Sequence, residues 1–192
     1  MNDLLFIRHA ETDIAGTFCG QSDPPINAAG RIQIAKLLQE LHGETISAVY
    51  TSDLQRAVAT GAAIAERFGV ACVRRSGLRE IDFGGWEGMT WDEIEASDPV
   101  YAQQWLDAFP SVPAPQGESV EAFEARVSAE VVHLQQPCDA GTLVVVTHAG
   151  VMRAVLRNVC GVGDDVAWQM TEEYCCVFRC DSVGRFLGEA VP

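Results

Sequence analysis

Two apolar runs that each end on a basic side chain set the tightest limit on what this chain can fold into. "LLFIRH" begins at residue 4 and "TLVVVTH" at residue 142. Unbroken apolar runs of this kind, β-branched in the second case, suit strands covered on both faces, the setting of a parallel sheet buried between layers of helices. The polar stop falls where such a strand would meet solvent. Arg8 and His9 end the first run, and His148 ends the second.

Between the two runs, strand and helix patterns alternate. "TFCGQSDPPIN" lacks periodicity and reads as a loop. Asn27 is placed to cap a helix through about Leu41, with Ile32, Ala35, Leu38 and Leu41 near helical spacing. "ISAVYTS" reads as a second strand. Ser52, followed three residues later by Gln55, has the form of a capping box for a helix striped by Leu54, Val58, Ala62 and Ala65 and stopped by Gly69. "VACVRR" reads as a third strand and "LREIDFGGWEGMTW" as a glycine-broken loop, with helices expected over about 90–108. "FPSVPAPQGES" is a connection, after which Ser119 opens a helix carrying Ala122, Val127 and Val131. "VMRAVLRNVCG" continues from the second apolar run as a helix closed by Gly161. "CCVFRC" and "RFLGEAV" suggest two last strands, antiparallel at an edge. This order predicts an α/β fold: a three-layer α/β/α sandwich with a mostly parallel central sheet. A single domain over 1–192 is expected, with residues 86–120 as a helical lid excursion.

Composition narrows the partners. Lys and Arg number 13 against 27 for Asp and Glu, a net charge of −14, so nucleic acid and anionic membrane surfaces are disfavoured. No leader pattern or membrane-spanning stretch stands out, and a cytoplasmic location is expected. The seven cysteines include Cys138, Cys160, Cys175 and Cys176; none forms a CxxC pair or a Cys/His ligand spacing, so they read as reduced thiols. A small anionic substrate would need a local basic pocket, which the acidic surface permits because charges more than about 8 Å away are largely screened at physiological salt.

Right-handed crossovers would bring the carboxyl ends of the parallel strands to one edge of the sheet, where open α/β sheets keep their sites. Arg8 and His9 end the first strand, Arg56 follows the second, and His148 ends "TLVVVTH". Each alone has a bland reading as a solvated arginine or a structural histidine; the topology delivers all four together. Two guanidiniums and two imidazoles suit a phosphoryl group, since arginine matches its oxygens with paired, charge-assisted hydrogen bonds and a neutral imidazole can attack phosphorus.

At these residues the chain resembles a known family. "RHAET", "SDLQRAVAT", "LREIDFGGWEG" and "VVVTHAG" are similar, in order, to the motifs of the histidine phosphatase, or phosphoglycerate mutase-like, superfamily. The resemblance runs from residue 4 to about 160. It implies that His9 is the phosphorylated nucleophile, that Arg8, Arg56 and His148 surround the phosphoryl oxygens, and that Glu80 protonates the departing alcohol and then activates water. It implies no cofactor and no metal. Thr12 and Gln21 are further binding candidates. Ala10 and Ala149 replace the glycine usual after each histidine, and Ala15 stands where many relatives carry a phosphoryl-contacting Asn, a role that Gln21 or a loop amide could take. The motifs look closest to the α-ribazole phosphatase-like and broad-specificity branch. The expectation is a phosphomonoester hydrolase for a small phosphorylated metabolite such as α-ribazole 5'-phosphate. The alternatives are a cofactor-dependent phosphoglycerate mutase or a non-catalytic phosphoanion-binding module. Trp86, Trp91, Trp105 and Phe109 either flank an organic moiety or pack the excursion. Exposed terminal strands leave a homodimer open.

Overall fold

The computed structural model describes residues 3–135 and 141–189; Cys138 lies outside the described residues. In chain order the elements are β1 (Leu4–Arg8), α1 (Ala28–Glu40), β2 (Ile46–Thr51), α2 (Gln55–Phe68), β3 (Cys72–Arg74), α3 (Trp91–Ser97), α4 (Pro99–Ala108), α5 (Val120–Leu134), β4 (Thr142–Thr147), α6 (Ala149–Asn158), α7 (Asp164–Met170), β5 (Val177–Cys180) and β6 (Phe186–Glu189). They form one six-stranded sheet in the order β3-β2-β4-β1-β5-β6. The β1, β2, β3 and β4 pairings are parallel, while β5 and β6 add an antiparallel edge.

Alternation of side chains along each strand splits the apolar runs between two cores. Leu4 and Phe6 join Leu143 and Val145 on one face, under α5 and α6. Leu5 and Ile7 join Val144 and Val146 on the other, under α1 and α2. The result is the expected three-layer arrangement, with Phe6 stacked on Phe178 at 4.9 Å. Over residues 86–114 a separate cluster of Trp86, Ile94, Ala102 and Ala114 gathers Phe18, Trp91, Tyr101 and Trp105 around it. Most of the excursion's aromatics therefore pack one another; Phe109 remains half exposed.

Local chemistry explains most boundaries. Asn27 caps α1 by accepting the Gly30 N–H at 2.8 Å, Ser119 caps α5 through Ala122 at 3.1 Å, and Gly69 ends α2 in the left-handed conformation. The capping box at Ser52 does not form. Leu54 is the N-cap of α2 without a side-chain bond, and the Gln55 N–H goes instead to Asp23 Oδ1 at 2.6 Å. Ser52 is thereby free to turn into the sheet edge. The short helix α7 was not legible from the sequence: its seven residues are too few to establish a stripe. Among the described residues no helix is long and apolar enough to cross a membrane.

Candidate active site

The strand register builds the site. Arg8 pairs with Thr147 across β1 and β4, so the next residues, His9 and His148, emerge side by side with ring centroids 5.0 Å apart. Thr51 pairs with Val146 on the other side of β4, which sets Ser52 next to His148. Its Oγ lies 2.9 Å from His148 Nε2. Three parallel strands thus deliver their terminal residues to one point, as the alternation of elements required.

The bonds of His9 define its tautomer. Nε2 lies 3.2 Å from Arg56 Nε, and a guanidinium can only donate, so Nε2 carries the lone pair. Nδ1 then holds the proton and donates it to the Ala10 carbonyl at 2.7 Å. Burial holds His9 well below its ordinary pKa, helped by the nearby positive charges of Arg56 and Arg8. His148 is held down for the same first reason, burial, and then by His9, Arg56 and Arg8. Both imidazoles are neutral in this setting.

The arginines are oriented differently from one another. Arg8 directs Nη1 at the Thr171 carbonyl, 3.0 Å away, and at the Glu172 carbonyl, with its guanidinium 4.0 Å above the Tyr174 ring. Arg56 is fully buried, and its Nη atoms bind the carbonyls of Cys19, Gly20 and Ser22 at 3.3, 2.6 and 2.5 Å. It fixes the loop after β1 as well as His9. Among the described residues, two buried side-chain nitrogens lack a partner, Arg8 Nε and His148 Nδ1.

Glu80 is buried, with its oxygens accepting the Ile81 N–H at 3.0 Å and the Gly150 N–H at 2.8 Å. Gly150 is required there: a Cβ would sit 2.2 Å from Glu80 Oε1. Arg126 holds the same loop from behind, donating to the carbonyls of Gly77, Arg79 and Glu80 at 3.2, 2.6 and 2.9 Å while paired with Glu118. Glu87 ties this loop to the one around Arg56 by accepting the N–H groups of Gln21, Ser22 and Phe83 at 2.8 to 3.0 Å.

Two cavities meet at Glu80. One, of about 690 Å³, is lined by Arg8, His9, Thr12, Glu80, Arg153 and Tyr174 among others. The second, of about 510 Å³, runs under the aromatic excursion past Trp105, Leu106, Phe109, Pro113 and Phe123. Phe18, Glu80, Phe83, Arg153 and Trp168 border both. Thr12 lies on the first cavity and bridges to Ile26. The side chain of Gln21 turns to Arg79 at 3.2 Å and is not part of either wall. Ala10 and Ala149 do not have positive φ, so neither position demands the glycine usual in the motif. Among the described residues there is no group of three or more His, Cys, Asp or Glu that could hold a metal ion.

Sequence reasoning missed Arg153, Trp168 and Tyr174. Arg153 had a usable signal: it lies four residues after Ala149 on the helix that leaves His148, and so on the same helical face as a site residue. Trp168 and Tyr174 depend on α7 and the turn after it, where no periodicity points inward.

The model of the histidine phosphatase superfamily, branch 1, matches residues 4–185. The chain is 30% identical over 184 residues to phosphoserine phosphatase 1 of Hydrogenobacter thermophilus, covering 95% of this chain and 83% of that one. It is 26% identical over 185 residues to the adenosylcobalamin/alpha-ribazole phosphatase of Escherichia coli, covering 95% and 91%. Among solved structures, Bacillus stearothermophilus YhfR superposes with a TM-score of 0.84 at 28% identity, over 100% of this chain and 96% of that one. With two histidines, two arginines and a carboxylate gathered at the carboxyl edge of the sheet, this chain belongs to the histidine phosphatase superfamily.

Proposed function

We propose that the chain hydrolyses phosphomonoesters of a small metabolite through a phosphohistidine on His9, without a metal ion. The observation that carries this reading is a pair of buried nitrogens beside a neutral His9, Arg8 Nε and His148 Nδ1, that have no partner among the described residues. Leaving buried donors unsatisfied is costly, and a phosphoryl group supplies the oxygens they lack. The Ser52 hydroxyl accepts from the Leu54 N–H at 3.4 Å and has its own proton to give to His148 Nε2, which leaves Nδ1–H to donate to a phosphoryl oxygen.

In the first step His9 Nε2 attacks phosphorus and the ester P–O bond breaks. Arg56 passes its Nε–H from the His9 lone pair to a phosphoryl oxygen, and Glu80 gives a proton to the departing alcohol. In the second, Glu80 takes a proton from water as the water oxygen attacks phosphorus, and the P–N bond breaks with its electron pair returning to Nε2. The border position of Glu80 supports this role, since the phosphoryl group would occupy the first cavity and the alcohol would extend toward the second. The apolar walls of the second cavity suit an aliphatic or aromatic group. α-Ribazole 5'-phosphate and phosphoserine, suggested by the relatives' names, are the first substrates to try.

The test is release of p-nitrophenol from p-nitrophenyl phosphate in EDTA. Turnover at the same rate with and without chelator is expected. Activity that vanishes with EDTA and returns with a divalent ion would contradict the metal-free mechanism, and binding of phosphate without turnover would identify a phosphoanion-binding module instead.

A further inference from the structure

The arginines that are not fully exposed fall into two groups. Arg75 pairs with Glu130 at 2.6 Å, Arg79 with Asp53 at 2.7 Å, Arg126 with Glu118 at 2.7 Å and Arg179 with Glu44 at 2.7 Å, and Arg157 pairs with Asp164. Among the described residues Arg8, Arg56 and Arg153 have no carboxylate partner. The proposed function gives Arg8 and Arg56 a phosphoryl group. It leaves Arg153 unexplained.

Arg153 is held as a ready receptor. Its guanidinium carbon lies 3.4 Å from the centroid of the Trp168 ring, and its Nε donates to Thr171 Oγ1 at 2.9 Å. The ring contact and the Thr171 bond together hold the guanidinium in place. Nη1 and Nη2 have no hydrogen-bond partner among the described residues, and Arg153 lies on the wall shared by the two cavities. Glu80 and Glu172 are close enough to be felt electrostatically, but neither forms an ion pair with it; the Glu80 oxygens accept the N–H groups of Ile81 and Gly150 instead. Burial pushes the Arg153 pKa down to about 10, as expected for a guanidinium that has lost hydration without gaining an anion.

We propose that Arg153 receives a carboxylate on the organic half of the substrate, so that the preferred substrates are phosphorylated hydroxy acids. Two parallel N–H groups at the end of a fixed guanidinium match the two oxygens of a carboxylate. Its place beside Glu80 on the shared wall puts that carboxylate close to the ester oxygen. Of the two substrates named above, this favours phosphoserine. The inference rests on the proposed function only for the position of the phosphoryl group.

Equilibrium binding of 2-phosphoglycolate and of its neutral carboxamide, measured by calorimetry in the His9→Ala background so that neither ester is consumed, tests it. The carboxylate ester should bind about 10- to 100-fold more tightly than the amide. Adding Arg153→Gln should bring the two affinities within about twofold, and Arg153→Lys, which keeps the charge and loses the planar fork, should restore part of the difference. Circular dichroism checks that each variant is folded. Equal affinities in the parent, no measurable binding of the carboxylate ester, or a preference that survives Arg153→Gln would overturn the assignment. Hydrolysis of p-nitrophenyl phosphate by the unaltered chain reports separately on the phosphatase reading, so failure of one does not masquerade as failure of the other.

Discussion

The partners of His9, the proposed nucleophile, each contribute a separate property. The Ala10 carbonyl fixes the proton on Nδ1, Arg56 finds the lone pair on Nε2, and burial with two nearby guanidiniums keeps the ring neutral. Nitrogen-15 spectra of the histidine-labelled chain should therefore show His9 neutral, with Nδ1 protonated, at pH 6, below the ordinary histidine pKa of 6.5. His148 should also be neutral there. A titration midpoint near 6.5 for either ring would contradict this. The same shift has a sign for stability. The unfolded chain takes up protons as pH falls through 6.5 while the buried rings do not, so their contribution is complete above 6.5 and declines as pH falls below it. At this scale much was legible: Arg8, His9, Arg56, Glu80 and His148 could be named because they sit at strand ends or in motif positions. Ser52 was visible but misassigned, since the nearest local chemistry suggested a helix cap, whereas Asp23, 32 residues away, takes the Gln55 N–H.

At the level of elements, the start of α6 and the loop before α3 act as one unit, because Glu80 is held by the Gly150 N–H at a point where a Cβ on the helix would displace it. Gly150→Ala should cost little stability, as alanine favours a helix and the atoms it strikes are the far end of the Glu80 side chain, which can turn away. It should nevertheless move the carboxylate. The expected result is a drop of about 10²-fold in turnover of an alkyl phosphate, similar to Glu80→Gln, since a positioned general acid typically contributes 10²- to 10⁴-fold. Turnover of p-nitrophenyl phosphate, whose leaving group departs without a proton, should fall far less. Equal losses for both substrates, with the melting temperature unchanged, would show that Glu80 supports the loop and is not the proton donor. The elements that hold Glu80 were only partly legible. α5 was expected, but nothing in its stripe shows that Arg126 reaches three carbonyls of the Glu80 loop. α7, which brings Trp168 against Arg153, is too short to leave a periodic trace.

At the scale of the whole molecule, a chain of net charge −14 is proposed to bind an anion, and the structure reconciles the two by pairing its other half-buried arginines with carboxylates, while Arg8, Arg56 and Arg153 have no carboxylate partner among the described residues. Distant acids are screened within about 8 Å at physiological salt, so the local surplus decides what enters. The layered, mostly parallel sheet with its antiparallel edge was legible because buried apolar strands alternating with helices and joined by right-handed crossovers leave few arrangements; the order of the strands within it was not. The cavity walls were not, because they come from side chains that meet only after the layers have packed. The central claim is that phosphate leaves the ester by way of His9. Mixing substrate with the intact chain, quenching within milliseconds without acid and measuring whole-protein mass followed by peptide mapping tests it directly. A phosphohistidine mechanism predicts one added phosphoryl group on the peptide containing Arg8 and His9, labile to acid and stable to base, and absent from His9→Ala. Full turnover with no mass gain under single-turnover conditions, or a phosphoryl group on Ser52 or a cysteine, would contradict it.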